Sequence, residues 1–314
     1  MLLDTLKALA DPCRLRLVAI LLRGEFTVQE LTAILGMGQS RVSRHLKILT
    51  EAGVLSVKRQ GTWSYYRISS AAGFFAAIRP ALEPELAQLP EQAHDLAAVA
   101  ALLEARHQRS RQFFDQHARQ WDDLARTLLP VPDYRDQLLD LVPRGGMVVE
   151  IGLGTGGLLP ALAARADSVI GVDHSPAMLD EARHRLDAAG IAGIDLRLGE
   201  MQHLPLPDRS ADCAILNMVL HHAADPRSVL AEIRRVLVTG GQLLLADLSR
   251  HERELAREQL ADQWLGFEEE ELRSWLQAAD FGGVTIVQVP PLPGQEAVLL
   301  IQAYTTKKET EHGS

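Results

Sequence analysis

The ten residues VVEIGLGTGG, Val148 to Gly157, restrict the folds open to this 314-residue chain more than any other stretch. A β-branched apolar run that ends in glycines is a strand entering a tight turn, and without side chains the turn's backbone N–H groups can approach a polar ligand at the next helix start. From Met147 onward, strand-like and helix-like segments alternate, which predicts a parallel sheet with helices on both faces. The predicted strands are 147–151, 168–172, 194–198, 213–217, 242–247, 284–289 and 297–304. Ser175-Pro176 and Asp225-Pro226 are helix starts that combine a cap with a first-turn proline. The last two strands are separated by Pro290-Pro291-Leu292-Pro293-Gly294, too short for a helical crossover, so they should pair antiparallel. The fold class expected here is an α/β domain with a mostly parallel seven-stranded sheet whose last strand is antiparallel.

The first 70 residues follow a different plan. Asp11-Pro12 opens a helix, and Thr27-x-x-Glu30 is a capping box that starts a second one before Leu31, Ile34 and Leu35. Gly36-Met37-Gly38 makes a turn. The next helix, 39–52, buries Val42, Leu46 and Leu49 and turns Arg41, Arg44 and Lys47 outward. Two strands, 55–59 and 63–68, flank Gln60-Gly61 as a hairpin. Helix, turn, helix, hairpin describes an α+β winged helix. Residues 71–89 read as an apolar helix interrupted by Pro80 and Pro84, and 91–125 as a linking helix with the apolar stripe Leu96, Val99, Ala100 and Leu103. The expected domains are 1–90, the linker 91–125, 126–306, and a polar, disordered tail 307–314.

Charge separates the two halves. Residues 1–70 hold ten Lys/Arg against five Asp/Glu although the chain carries −9 overall, so the acid lies in the remainder. A basic head on an acidic body is the electrostatic footprint of duplex DNA binding. The apolar stretches are too short to span a bilayer, and Asp4 and Lys7 interrupt the first ten residues where a signal peptide stays apolar. Cys13 and Cys213 fall in different predicted domains, which argues against a structural disulfide and for a reducing compartment. The expected location is the cytoplasm, in association with the nucleoid, with no membrane partner.

The segment ALADPCRLRLVAILLRGEFTVQELTAILGMGQSRVSRHLKILTEAGVLSVKRQGTWSYYRI resembles the winged-helix repressors of the arsenic- and metal-responsive regulator family. The resemblance implies a homodimer, formed through this domain, that places two recognition helices in successive major grooves. Gln39, Ser40, Arg41, Ser43, Arg44 and Lys47 would then meet bases or phosphates, with Lys58 and Arg59 on the wing. Where many members carry Cys-x-Cys, this chain has Thr27-Val28-Gln29. Cys13 is a single thiol, and His94, His107 and His117 with Glu91 and Glu104 read as a solvated helix face. No metal centre is expected.

The glycine loop alone suits two ligand classes. Gly152, Gly154 and Gly156 satisfy G-x-G-x-G, Gly157 also completes G-x-G-x-x-G, and Asp173 follows Gly152 by 21 residues, as in dinucleotide and S-adenosylmethionine sites alike. Later blocks break the tie. VVEIGLGTGGLLPALAARADSVIGVDHSPAMLDEAR, LPLPDRSADCAILNMVLHHAADP and EIRRVLVTGGQLLLADL, preceded by FFDQHARQWDDL, resemble the Rossmann-like S-adenosylmethionine-dependent methyltransferases that act on small molecules. Carried over, Glu150, Gly152, Gly154 and Gly156 hold the amino acid moiety and Asp173 the ribose. Met178, Glu200 and Met201 meet the adenine, Asn217 lies beneath the ligand, and Phe113 to Leu124 cover it.

Methyl transfer from a sulfonium needs positioning and sometimes a base. His221 and His222 stand where an acceptor enters and read either as a base or as pocket-shaping residues. Arsenite methylation needs several acceptor-site thiols, and Cys213 alone does not supply them. The whole architecture resembles bacterial repressors that respond to S-adenosylhomocysteine and control methionine-cycle genes. It implies a regulator whose operator affinity follows S-adenosylhomocysteine or S-adenosylmethionine, with an active small-molecule methyltransferase as the alternative. A pocket with no carboxylate or aromatic face at the sulfur would favour the uncharged homocysteine form.

Overall fold

The structure, a computed structural model, describes residues 2–69 and 73–306, so the tail predicted over 307–314 lies outside the described residues. The chain forms two compact units, Met1–Arg106 and His107–Ser314.

In the first unit α1 (Leu2–Leu9) precedes α2 (Pro12–Leu21), whose N-cap Asp11 accepts the Arg14 N–H. A two-residue strand β1 (Phe26–Thr27) leads into α3 (Val28–Leu35), where Thr27 and Glu30 close the expected capping box and Gly36 ends the helix at φ 63°. Next come α4 (Gln39–Glu51) and the hairpin β2 (Leu55–Gln60) and β3 (Trp63–Ile68). Gln60 pairs with Trp63, so the turn is Gly61-Thr62, one residue later than predicted, with Gly61 taking the positive φ. β1 adds to β3 as a third strand; two residues are too few to show a sequence period. Leu17, Ile20, Phe26, Leu31, Val42, Leu46 and Leu49 fill the core.

α5 (Phe74–Leu86) runs through both prolines rather than breaking at them. Pro80 and Pro84 are one turn apart on the exposed face, and the carbonyls whose bonds they cancel, at Ala76 and Pro80, belong to exposed residues that water can satisfy. Phe75, Ile78, Leu82 and Leu86 supply the inward side. In α6 (Gln92–His117) the inward face is Asp95, Val99 and Arg106, whereas Ala100 of the predicted stripe is exposed. Asp95 takes both ends of the Arg16 guanidinium at 2.7 Å, and Arg106 pairs with Glu30. A buried ion pair overrides the apolar stripe. The predicted linker is not one helix, because α6 stops at His117 and a 3₁₀ turn, Ala118–Gln120, leads into α7 (Trp121–Leu128).

In the second unit α8 (Arg135–Asp140) precedes the sheet. The sheet is built from β4 (Met147–Ile151), β5 (Ser168–Asp173), β6 (Ile194–Leu198), β7 (Ala211–Asn217), β8 (Leu237–Leu248), β9 (Phe281–Val289) and β10 (Val298–Thr305). Between them lie α9 (Leu159–Ala163), α10 (Pro176–Ala188), α11 (Pro226–Val236), α12 (Leu255–Leu260) and α13 (Glu269–Ala278). The strand order is β6-β5-β4-β7-β8-β10-β9, parallel except that β10 runs antiparallel to both β8 and β9. This is the predicted Rossmann-like sheet with its last strand reversed. The order reverses at β4, so the β4 and β7 carboxyl ends open a crevice, the usual ligand position in such sheets.

Candidate functional site

The three loop glycines are required for three different reasons. A Cβ at Gly152 would stand 2.2 Å from Val219 Cγ2, so the opposite wall comes too close for a side chain. Gly154, at φ 56°, faces open space and donates its N–H to Asp173 Oδ2 at 2.8 Å. A Cβ at Gly156, at φ 76°, would stand 3.0 Å from Ala182 Cβ, so this glycine serves helix packing rather than the pocket. Asp173 also accepts the Ser175 N–H at 2.9 Å, fixing the loop to the start of α10. Glu150 lies beneath the loop, 1% exposed, with Oε2 unpartnered. Burial, reinforced by the Asp173 charge, pushes its carboxyl up to about 8.

A cleft of about 490 Å³ opens above these residues. Gly152, Gly154, Asp173 and His174 form one side, and Met178, Gly199 and Met201 another. Phe114, Trp121 and His222 close it, the Phe114 ring 5.0 Å from Trp121 and 4.9 Å from His222, both edge to face. Two carboxylates fasten this cover. Asp115 accepts the Ser175 hydroxyl at 2.6 Å, and Asp122 accepts the Thr155 hydroxyl at 2.8 Å while pairing with Arg185 at 2.7 Å. An acid before α10 and another over the glycine loop hold the segment Phe113 to Leu124 where the sequence places it.

Of the residues expected at the ligand, Gly152, Gly154, Asp173, Met178 and Met201 line the cleft. Glu200 does not; its backbone bridges to His203, and its neighbours Gly199 and Met201 form the wall. Asn217 ends β7 with its Oδ1 taken by the Tyr134 hydroxyl at 2.7 Å. The aromatic rings of Phe114 and Trp121 mean that the pocket does carry π faces. Both rings belong to the covering segment Phe113 to Leu124, whereas no local spacing in the sequence marks His174 or Val219. Gly154 and Asp173 thus line one cleft, and the orphaned Glu150 carboxyl lies beneath the glycine loop.

The two histidines take different roles in the fold. Met218, at φ 54°, turns the chain from β7 into the 3₁₀ turn Leu220–His222. His221 Nδ1 lies 2.7 Å from Asp247 Oδ1, and Asp247 also accepts the N–H groups of Leu220 and Leu248 at 2.9 and 2.7 Å. Burial opposes the charge on His221, but Asp247 and Asp262 outweigh it and push the imidazole up to about 9. His222 alone faces the cleft; burial first, and then the His221 charge, hold it well below the ordinary histidine range.

On the winged helix, Gln39, Ser40, Arg41, Arg44 and Lys47 are exposed along α4 and Ser43 is half-buried. Lys58 and Arg59 both lie on the hairpin, as expected of the wing, but Arg59 is exposed and Lys58 is buried, because β2 turns the two residues to opposite faces. His45 sits on the buried side of α4 with Nδ1 unpartnered, 3.9 Å from Asp11, and the Cys13 thiol lies 3.5 Å from the Met37 sulfur. Among the described residues no close group of metal-donor side chains includes His94, His107 or His117. Nor, among the described residues, is any helix long and apolar enough to cross a membrane.

Residues 149–245 match the methyltransferase domain family, and residues 11–57 match the arsR family of bacterial regulatory proteins. The chain is 48% identical over 63 residues to the arsenic resistance transcriptional regulator of Pseudomonas putida, covering 20% of this chain and 49% of that one. It is 35% identical over 107 residues to the arsenite methyltransferase of Halobacterium salinarum, covering 33% of this chain and 27% of that one. The chain spans at most about half the length of the curated relatives it matches. A chain of the Haloferax volcanii complex between the Trm112 methyltransferase activator and a methyltransferase superposes with a TM-score of 0.50 at 22% identity, over 62% of this chain and 98% of that one. That likeness is one of fold. The chain joins an arsR-family helix-turn-helix, residues 11–57, to a methyltransferase domain, residues 149–245.

Proposed function

We propose that this protein is a transcriptional regulator, a repressor, whose affinity for operator DNA is set by S-adenosylhomocysteine or S-adenosylmethionine bound in the cleft beside Gly154. The observation that carries this reading is the dual membership of α6. Its early residues Asp95, Val99 and Arg106 are part of the first unit's core, and its later residues Phe114 and Asp115 are part of the cover over the second unit's cleft. A ligand that orders the cover therefore acts on the same helix that the DNA-binding unit uses. Control requires only that the ligand prefers one of two states. The methionine-cycle genes are the matching targets, since both ligands report the state of that cycle.

The homodimer belongs to the same proposal. Leu2, Leu3 and Leu6 of α1 are exposed, an apolar face that a second copy would cover, and two recognition helices fit two half-sites. The second reading is an active methyltransferase for a small acceptor, favoured by His222 at the cleft wall. Arsenite fits poorly as that acceptor: Cys213 is fully buried in β7, its thiol pushed up to about 12, and no other cysteine belongs to the second unit.

The test is calorimetric titration of both ligands followed by operator binding with and without each. The expected result is a shift in operator affinity of about fivefold or more at saturation. Unchanged operator affinity at saturation by both ligands rejects the regulator reading. Methyl transfer to a small acceptor would support the second.

Glu150 adds a pH signature. With its carboxyl near 8 in the free protein it is mostly protonated at pH 7, and stability from this protonated group is lost as pH rises through about 8. A bound ligand ammonium favours the ionised form, so binding releases a proton. Ligand affinity should rise between pH 6 and 8 by up to about tenfold per unit. Calorimetry in buffers of different ionisation enthalpy should read this proton, and Glu150→Gln should remove it.

A further inference from the structure

Beneath the wall of the cleft lies a group of donors that the ligand reading does not use. Asp262 is 4% exposed, and neither of its carboxylate oxygens has a hydrogen-bond partner. Its Oδ1 stands 3.7 Å from His221 Nε2 and 3.5 Å from His222 Nδ1. The same His222 Nδ1 lies 3.4 Å from the Ala261 carbonyl oxygen, and the other ring nitrogen, Nε2, is buried without a partner. Leaving a buried carboxyl with both oxygens unsatisfied is costly, and a cation sharing the space would favour its ionised form.

The spacing says which kind of cation. At 3.5 and 3.7 Å the donors are too far apart for good hydrogen bonds. Two atoms each about 2.0–2.1 Å from one tetrahedral metal ion are separated by roughly 3.4 Å. The His221 ring is already held for such a role. Asp247 takes its Nδ1 at 2.7 Å and is itself fixed by backbone N–H groups, which leaves Nε2 directed at Asp262. A carboxylate behind an imidazole is the usual outer support of a metal-ligating histidine. The backbone contributes as well: Ala261, a non-glycine residue at φ 59°, ends α12 in the left-handed region immediately before Asp262. Such strain persists where the surroundings require one particular direction of the chain.

We propose that His221, His222 and Asp262 form a binding site for a divalent transition-metal ion, with Asp247 orienting His221. Two imidazoles and one carboxylate suit Zn²⁺, Co²⁺ or Fe²⁺ rather than Mg²⁺ or Ca²⁺, which take oxygen donors. The site goes beyond the regulator reading and is independent of it. His222 belongs to both the metal set and the cleft wall, so an ion here would stiffen the side of the cleft opposite the glycine loop.

The experiment uses the full-length chain, stripped with a chelator and titrated with Co²⁺, then displaced with Zn²⁺. One equivalent of Co²⁺ should bind, with visible ligand-field bands and no sulfur-to-cobalt charge transfer. Asp262→Asn should abolish this uptake. Asp247→Asn should weaken it about 10- to 100-fold while the stoichiometry stays at one. Cys13→Ser should leave it unchanged, because the other close donor group among the described residues, Asp11, Cys13 and His45, belongs to the first unit. No uptake by the intact chain overturns the proposal, as does a charge-transfer band from sulfur, or uptake that survives Asp262→Asn. A doubly protonated His221 ring in nitrogen NMR with equimolar Zn²⁺ present overturns it too, since a proton then holds the space. The intact chain's spectrum decides the matter even if a variant fails to fold.

Discussion

Asp173→Ala should lower affinity for S-adenosylhomocysteine and S-adenosylmethionine by about a hundredfold or more, and with it any ligand effect on DNA binding. Two losses combine. A carboxylate that grips both ribose hydroxyls makes two charge-assisted hydrogen bonds, each worth about 1.5–3 kcal/mol, and about 3 kcal/mol is roughly two decades in Kd. The same carboxylate fastens the N–H groups of Gly154 and Ser175, so the glycine loop also loses its anchor to α10. Asp173→Asn keeps one acceptor and should lose less. Ligand-free operator affinity should stay near that of the unaltered chain, because Asp173 belongs to the second unit. Calorimetry and a gel-shift assay on the same preparations check both halves. Equal loss of ligand and operator binding would mean that the fold had failed.

Changing Arg41 and Arg44 together to alanine should have the second-largest effect, with the opposite selectivity. Both are exposed on α4, whose other side is fixed by Val42, Leu46 and Leu49, so truncating them removes charge without disturbing the core. A bidentate arginine hydrogen-bonded to a base edge contributes about 1–3 kcal/mol of discrimination, and removing a cation from a phosphate lowers the salt slope by about one. Operator affinity should fall about tenfold to a hundredfold for each of the two guanidinium groups removed, while ligand affinity is unchanged. Lys47→Ala should do less, as Lys47 is highly exposed and 3.8 Å from Glu51. Lys58→Ala should show no phosphate signature, since that side chain is buried. Reduced ligand affinity in the arginine variant would count against the assignment of α4 to DNA.

Elements with a strong local signal were readable in advance. The seven strands fall where apolar runs end at glycine, proline or acidic caps, and the capping box at Thr27 and the caps at Asp11, Ser175 and Asp225 all form. Pro80 and Pro84 misled for a physical reason. A helix tolerates proline where the freed carbonyls face water, and sequence alone does not say which face that is. Asp95 and Arg106 misled the stripe of α6 in the same way, since pairing with Arg16 and Glu30 made burial of charge affordable.

The candidate site divides along the same line. The glycine loop and Asp173 were legible because strand, turn and helix are contiguous and an acid follows at the end of the next strand. Phe114 and Trp121 were legible only as part of the covering segment Phe113 to Leu124, and His222 only as one of a histidine pair of open role; which rings reach the cleft depends on segments far apart in sequence. By itself, then, the sequence determined a helix-turn-helix with a hairpin, an alternating α/β sheet and a glycine turn between strand and helix, because periodicity and backbone freedom are local properties. Only the tertiary structure decided that Lys58 is buried, that Glu150 is an orphaned acid, and that His221 and His222 meet Asp247 and Asp262. Those outcomes depend on which strands become neighbours and on what the interior excludes, and sheet order is a property of the whole chain.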